Sequence, residues 1–539
     1  MQSNSAHRNH YRSQSGVDRR EFLRALSSGV VLGGAGLLGV QNALAQRFVL
    51  REDKFGRMFP QLDPFFRRAS ADLNAALLEI GKRGGILDAQ DDLAAGPVAL
   101  IGDPALNVNN PNSPTHTAGA TFMGQFMDHD LTFDLTSALG DPTEPEDSPN
   151  ARSPAFDLDS VYGGGPKKSP QLYGYQGSAI KLKVESCGQF EDLPRTSNNT
   201  AIIADPRNDE NLVVAGLQAA FLLFHNKAVD YISARHAQWD SDKVFEGARR
   251  LTRWHYQWMI VHEFLPLFIG QELTSEILHR GRKFYRSRTA FIPIEFQGAA
   301  YRFGHSMVRP SYRANLAGDN GAPFFAMIFD PAGEGQPDPV DLRGNCRAPR
   351  RFIGWQTFFD FGGIPRPNGV GVLGEDVRPN KRIDTKISTP LFNLPLQTIA
   401  GAVPPTPQSL AQRNLLRQVT WSMPSGQSIA IEMEEEPLSK SELSELSGYG
   451  FNLDRSTPLW YYVIKEAGLR TGGLTLGPVG GRICGEVIIG LLELDPHSYL
   501  SRFPLWKPTL PQIDGNVTGE FRMIDFLAYA GVDPTSRGQ

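Results

Sequence analysis

Residues 121–135 read TFMGQFMDHDLTFDL, and after a loop residues 153–163 read SPAFDLDSVYG. This stretch sets Gln125, Asp128, His129, Asp130, Asp134, Asp157 and Asp159 among large apolar residues. On a helix Gln125 and His129 lie one turn apart and share a face, with Phe122, Phe126 and Phe133 covering neighbouring ground. That face enters a core or covers a bound apolar cofactor. Asp128 and Asp130 stand on either shoulder of His129, each turned about 100° away from it. Carboxylates packed around an imidazole are costly unless a positive or covalent partner uses them. A lone His on an apolar face would read as a satisfied core residue, so other segments must decide.

Three of them do. Asp205-Pro206-Arg207-Asn208-Asp209-Glu210 opens a long helix, Tyr301-Arg302-Phe303-Gly304-His305 closes another, and Arg413-Asn414-Leu415-Leu416-Arg417 lies farther along. On these four ordered motifs the chain resembles the animal-type haem peroxidases, the peroxidase–cyclooxygenase superfamily, in its bacterial branch. The resemblance runs from about Asp63 to Leu500. It implies a mainly α, animal haem peroxidase-like fold with long irregular loops and few short strands, holding haem b.

Splitting peroxide at a ferric haem asks for a base, a cation beside the breaking bond, and an axial ligand on the opposite face. His129 is the candidate base because a neutral imidazole titrates near working pH. The resemblance makes it the distal His, with Gln125 one turn before it. Arg207 takes the cationic role by the same resemblance, and its permanent charge suits the task. A plain salt bridge to Asp205 or Asp209 is the alternative reading of Arg207.

His305 resembles the iron ligand, with Gly304 allowing close backbone approach, and Asn414 the acceptor that fixes its imidazole. Arg302 and Arg417 fall at matching cofactor-binding positions. Asp128 and Glu210 match two carboxylates that, in many family members, form esters with haem methyl groups. Asn211 follows Glu210 where one branch has Met, so no sulfonium link is expected. Asp130, Ser153, Ala155, Asp157 and Asp159 match the family's calcium loop, and such an ion takes about 6–8 oxygens. A solvated acidic loop is the alternative there.

In the fatty-acid oxygenases of this superfamily, the tyrosine that carries the radical lies three residues before the proximal His. Here that position is Arg302. Tyr301 is one step off, turned by about 100° on a helix, and is expected to face elsewhere. The expectation is therefore a haem peroxidase that reduces hydrogen peroxide and oxidises a small organic donor or halide through a ferryl intermediate, in response to oxidative stress. A fatty-acid dioxygenase of the same fold is one rival. A secreted calcium-dependent binding protein without turnover is the other.

The length of 539 residues exceeds one usual core, so one large or two intimate domains are expected. A net charge of −4, with no basic cluster interleaved with aromatics, argues against a nucleic-acid partner. Asp18-Arg19-Arg20-Glu21-Phe22-Leu23 precedes a Gly-rich apolar run and Asn42-Ala43-Leu44-Ala45. Residues 1–45 thus read as a twin-arginine signal peptide, leaving 46–539 as the haem peroxidase domain in the periplasm or outside the cell. The apolar run falls short of the ~20 residues a membrane span takes, so no stable span is expected.

Cys187, Cys346 and Cys484 permit at most one intrachain disulfide and read as structural. Helices are expected over 64–82, 121–130, 209–235, 242–269, 293–308, 409–418, 425–433, 458–469 and 480–493, with short strands within 168–199. His225 reads as core. His255 and His262 share a helix face but lack a third ligand, so zinc is not expected. Glu432 and Glu434 to Glu436 read as a solvated helix end.

Overall fold

Six helices position everything that follows: α1 (Ala118–Leu131), α2 (Leu212–Arg235), α3 (Ser241–Met259), α4 (Leu410–Thr420), α5 (Leu459–Arg470) and α6 (Pro478–Leu494). They come from a computed structural model that describes residues 53–187, 190–318, 321–345, 349–362, 377–399 and 405–533. The expected signal peptide, the side chain of Cys187, Cys346 and the irregular chain just past Gly363 lie outside the described residues. Among those described, strands occur only as five two-stranded pieces, two of them hairpins within 173–192. The fold is mainly α.

The central helix α2 is apolar almost all round, and its burial explains why. Asn211 caps it by accepting from the backbone N–H of Val213 and Val214. It is long and apolar enough to cross a membrane, yet most of that apolar window is buried inside this fold. The helix begins at Leu212 rather than at 209. Asp205 caps a separate 3-10 turn, Pro206–Asp209, by accepting from Arg207 N–H, and that turn aims its side chains independently of α2.

The expected helix over 242–269 is continuous but not uniform. After α3, residues Ile260–Phe264 widen into a π turn before Leu265–Ile269 resumes the α form. Pro266 accounts for this, since a proline ring clashes with the carbonyl four residues earlier and a wider turn relieves the clash. The expected helix over 293–308 breaks in two. Ile294–Gly298 is helical, Ala299 departs to φ −140° and ψ −72°, and Ala300–Ser306 is a 3-10 helix. The first helix occupies only Ala71–Ile80, N-capped by Ser70. Helices at Gly96–Gly102, Gln271–Arg280 and Met523–Ala530 were not expected from the sequence.

Aromatic packing fixes how α1 is rotated about its axis. Phe126 stacks flat on Phe221 of α2, with centroids 4.5 Å apart and planes 5° from parallel. It meets Tyr256 of α3 edge-on at 6.4 Å. Burying one such ring contributes about 1.5–3 kcal/mol. With Phe126 held against the core, Gln125 and His129 are turned onto the neighbouring face of α1.

Candidate active site

Gln125 and His129 face a cavity of ≈ 240 Å³ that is also lined by His305, Arg302, Arg207, Asp128 and Glu210. His129 and His305 are 176 positions apart in sequence (305 − 129), yet they open on one space. Its walls are largely apolar, with Phe122, Phe133, Phe264, Phe303, Phe329 and Leu394 among them. Gly304 lines it too, and a Cβ built there would meet nothing within 4 Å. A flat apolar group therefore has room against the backbone beside His305.

The His129 ring is held through one nitrogen. Its Nδ1 lies 2.9 Å from Asn208 Oδ1, while Asn208 Nδ2 donates to Gln218 Oε1 at 2.8 Å. With the amides so oriented, the Asn208 oxygen accepts from Nδ1–H, leaving Nε2 as the basic atom. Burial, with the nearby Arg207 guanidinium adding to it, pushes the imidazole down to about 4, so it is neutral at pH 7. Nε2 lies 3.8 Å from Glu210 Oε1, and Gln125 Nε2 donates to that same oxygen. Asn211 Nδ2 in turn donates to Gln125 Oε1 at 3.2 Å. Burial raises the Glu210 carboxyl to about 8.

Arg207 pairs with Asp205 and also reaches the cavity. It donates to Asp205 Oδ2 at 2.7 Å, and it lines the cavity, stacked over Phe133 at 4.2 Å with an N–H on the His129 carbonyl at 3.1 Å. Burial works against the Asp205 charge, but the guanidiniums of Arg152 and Arg207 overcome it and hold the carboxyl below the usual range. Arg152 also reaches Asp159 at 3.5 Å, which ties the Arg207 turn to the acidic loop.

Asp130 of α1 and the loop residues Asp157 and Asp159 each bring a carboxylate oxygen within 4.8 Å of the others. Burial and the other two carboxylates push Asp130 well above its ordinary value, a cost that a cation at this point would remove. Leu158 sits between Asp157 and Asp159 in the left-handed region at φ 61°, a strained conformation of about 1–3 kcal/mol. Its N–H and the Ser160 hydroxyl bind Asp130 at 3.1 and 3.0 Å. Ser153 donates its hydroxyl to Asp157 and its N–H to Asp159. Ala155 is half-buried in the same loop.

On the opposite wall His305 lies 2.8 Å from Asn414, Nδ1 to Nδ2. The Asn414 Oδ1 is buried without a hydrogen bond. Turning that amide over satisfies the orphan with the His305 Nδ1–H and leaves Nε2 as the free basic nitrogen. Burial, reinforced by Arg302 and Arg417, lowers His305 to about 3, so it too is a neutral ligand-ready imidazole. Arg302, Arg413 and Arg417 line this side of the cavity.

Sequence reading missed three features. Asn208 and Gln218, the support of His129, are ordinary amides whose partnership depends on the turn before α2. Tyr301 does line the cavity, with its hydroxyl donating to Gly124 O at 3.2 Å. The expectation that it faces elsewhere assumed an α-helix, whereas the segment is 3-10 after the Ala299 break. His225 follows the core expectation, fully buried against the Tyr162 hydroxyl at 2.9 Å. His255 is held by Leu251 O and by the Thr509 and Leu510 N–H groups, while His262 stacks on Trp258. Among the described residues only the three aspartates form a metal-capable cluster. Cys484 is a buried free thiol.

Residues 134–332 match the animal haem peroxidase family. The match includes Arg207, Glu210, Arg302 and His305 and stops short of His129 and Asn414. Among particular relatives, dual oxidase of Drosophila melanogaster is 31% identical over 114 residues, 20% of this chain and 7% of that one. Chorion peroxidase of Aedes aegypti is 26% identical over 173 residues, 29% of this chain and 22% of that one. The chain thus spans a small fraction of these relatives' own length. Among solved structures, peroxidase A from Dictyostelium discoideum superposes with a TM-score of 0.57 at 17% identity, over 85% of this chain and 90% of that one. The fatty acid alpha-dioxygenase of Oryza sativa gives 0.50 at 15% identity over 88% and 86%. These two likenesses establish the fold. The family implies haem binding, and the cavity between His129 and His305 fits that group.

Proposed function

We propose that the protein is a peroxidase that reduces hydrogen peroxide and oxidises a small organic donor or a halide. The observation carrying this reading is that two neutral imidazoles, each fixed through its Nδ1, open on one apolar cavity beside a guanidinium. His305 would hold haem in the cavity that Gly304 and the phenylalanines line, and the haem would supply the redox chemistry. His129 Nε2 takes the proton from one peroxide oxygen and returns it to the other, while Asn208 holds the ring in the required tautomer. Arg207 stabilises negative charge on the departing oxygen, and Asp205 keeps its guanidinium in place. Gln125, bound to Glu210 and Asn211, orders the floor beside the base.

Calcium at Asp130, Asp157 and Asp159, with Ser153 and the Ala155 carbonyl, braces the C-terminal end of α1 in this account. Asp128 and Glu210 are the candidates for ester links to haem. The N-terminal 45 residues direct twin-arginine export to the periplasm or beyond. Residues 46–539 are the working domain.

Replacing His129 by Ala tests the core of the proposal. Haem binding is expected to survive, while the second-order reaction with peroxide slows by several powers of ten, roughly the loss of proton transfer plus positioning. An unchanged rate removes His129 as the base. A fatty-acid dioxygenase stays as a second reading because Tyr301 lies in the cavity wall. Oxygen uptake on oleate or linoleate without added peroxide would favour it, and no uptake would discard it.

A further inference from the structure

Behind the wall of the main cavity lies a second one of ≈ 170 Å³, and Ala120 and Phe264 line both. Phe264 fits the gap left by Gly124 of α1, where an added Cβ would sit 3.1 Å from its ring. That ring stands in the partition between the two spaces. Met123, Leu267, Phe359 and Ile524 add apolar wall to the second cavity. A space of about 150 Å³ takes one benzene, so this one suits a single ring with a small substituent.

Glu263 brings a carboxylate to this space. It belongs to the π turn Ile260–Phe264, a distortion that recurs at functional sites, and it lines the cavity beside Phe264. Its Oε2 accepts from Met523 N–H at 2.7 Å, and among the described residues nothing donates to Oε1. His116, in the same wall, is saturated. Its Nε2–H donates to Leu267 O at 2.5 Å, and the Ser113 and Thr115 hydroxyls lie 2.9 and 2.6 Å from Nδ1. Burial lowers that imidazole, so it is neutral at pH 7. Asp360 and Arg522 are the charged groups that share the cavity, and Arg522 lies 3.8 Å from Asp525. Burial raises the Glu263 carboxyl to about 7; the Met523 N–H and Arg522 pull against it, and Asp525 adds to it.

We propose that this second cavity binds a small neutral phenol as electron donor, with its hydroxyl on Glu263 Oε1 and its ring beside Phe264. This rests on the peroxidase reading above. A phenol brings both the O–H that this oxygen accepts and the π face that Phe264 and Phe359 meet. Oxidation removes one electron from the phenol across the Phe264 partition. The hydroxyl proton passes to the Glu263 carboxylate, which releases it to solvent, and a phenoxyl radical leaves. Two such turns supply the two electrons, and solvent the two protons, that reduce one hydrogen peroxide to two waters.

Guaiacol is the probe, with full-length holoprotein of wild type, Glu263→Gln and Thr117→Phe. Glu263→Gln keeps the Met523 N–H bond through its amide oxygen. Thr117→Phe sends a ring into the cavity from the half-buried N-cap of α1. Guaiacol binding without peroxide, read by titration calorimetry, is expected to weaken about tenfold or more in each variant, the scale of one charged hydrogen bond. With peroxide, wild-type kcat/KM for guaiacol is expected to rise with pH through about 7 as Glu263 loses its proton. Glu263→Gln should be slower and flat across that range. A wild type that binds no guaiacol, or two variants that bind it as wild type does, would overturn the site. Weaker binding in Thr117→Phe alone, or a rising limb that survives in Glu263→Gln, would overturn the role of Glu263. Guaiacol binding in wild type with no peroxide-driven oxidation would sink the peroxidase reading itself, and the donor role with it.

Discussion

Asn208 decides which nitrogen of His129 is basic, and its amide nitrogen donates to Gln218. Replacing Asn208 by Ala removes the Nδ1 acceptor while leaving His129 in the cavity. The peroxide reaction is expected to slow by about 10–100-fold, the usual scale for an outer partner of a functional imidazole. A rate within twofold of wild type would show that the tautomer is fixed by something else. At this scale the sequence exposed residues whose chemistry is distinctive: His129, Arg207, His305 and the three aspartates. It hid Asn208 and Gln218, because an amide carries no signal until the 3-10 turn at Pro206–Asp209 aims it. It misplaced Tyr301, whose direction follows from a backbone break that nothing local in Gly298-Ala299-Ala300 announces.

Among elements, the acidic loop and α1 act as one unit. Asp130 sits at the end of α1, and Asp157 and Asp159 approach it across a strained Leu158. If a calcium ion holds them, adding a chelator should lower the melting temperature by several degrees and calcium should restore it; indifference to both would remove the ion from the account. Glu466 of α5 offers an independent test of how helices dock. It accepts from the Val479 and Gly480 N–H groups at the start of α6, at 3.1 and 3.3 Å. Burial raises its carboxyl to about 7, against the pull of those N–H groups. The folded value exceeds the ordinary one, so the stabilising contribution is full below about pH 4.5 and lost as pH rises through 7. Glu466→Gln is therefore expected to equal wild type near pH 4. Above pH 7 it should exceed wild type by on the order of 3 kcal/mol, read from denaturant midpoints. A variant less stable at every pH would refute this. Long periodic helices such as α2 and α6 were legible in the sequence, whereas the π turn before Pro266 and the helices at 271–280 and 523–530 depend on tertiary packing.

For the whole molecule, the decisive fact is that separate stretches of chain meet at one apolar cavity. His129 comes from α1, Arg207 from the turn before α2, His305 from the 3-10 segment and Asn414 from α4. The sequence supplied the order of these motifs and the helical class, because periodicity and motif spacing are local. It did not supply the second cavity behind Phe264, which exists only once the π turn and the helix Met523–Ala530 pack against α1. The central claim is that His305 binds haem iron across that cavity from His129. The ferric absorption spectrum of full-length wild type beside His305→Ala tests it most directly. The account predicts a Soret band in wild type that is lost or clearly shifted in the variant. No Soret band in wild type, or the same spectrum in both proteins, would contradict it.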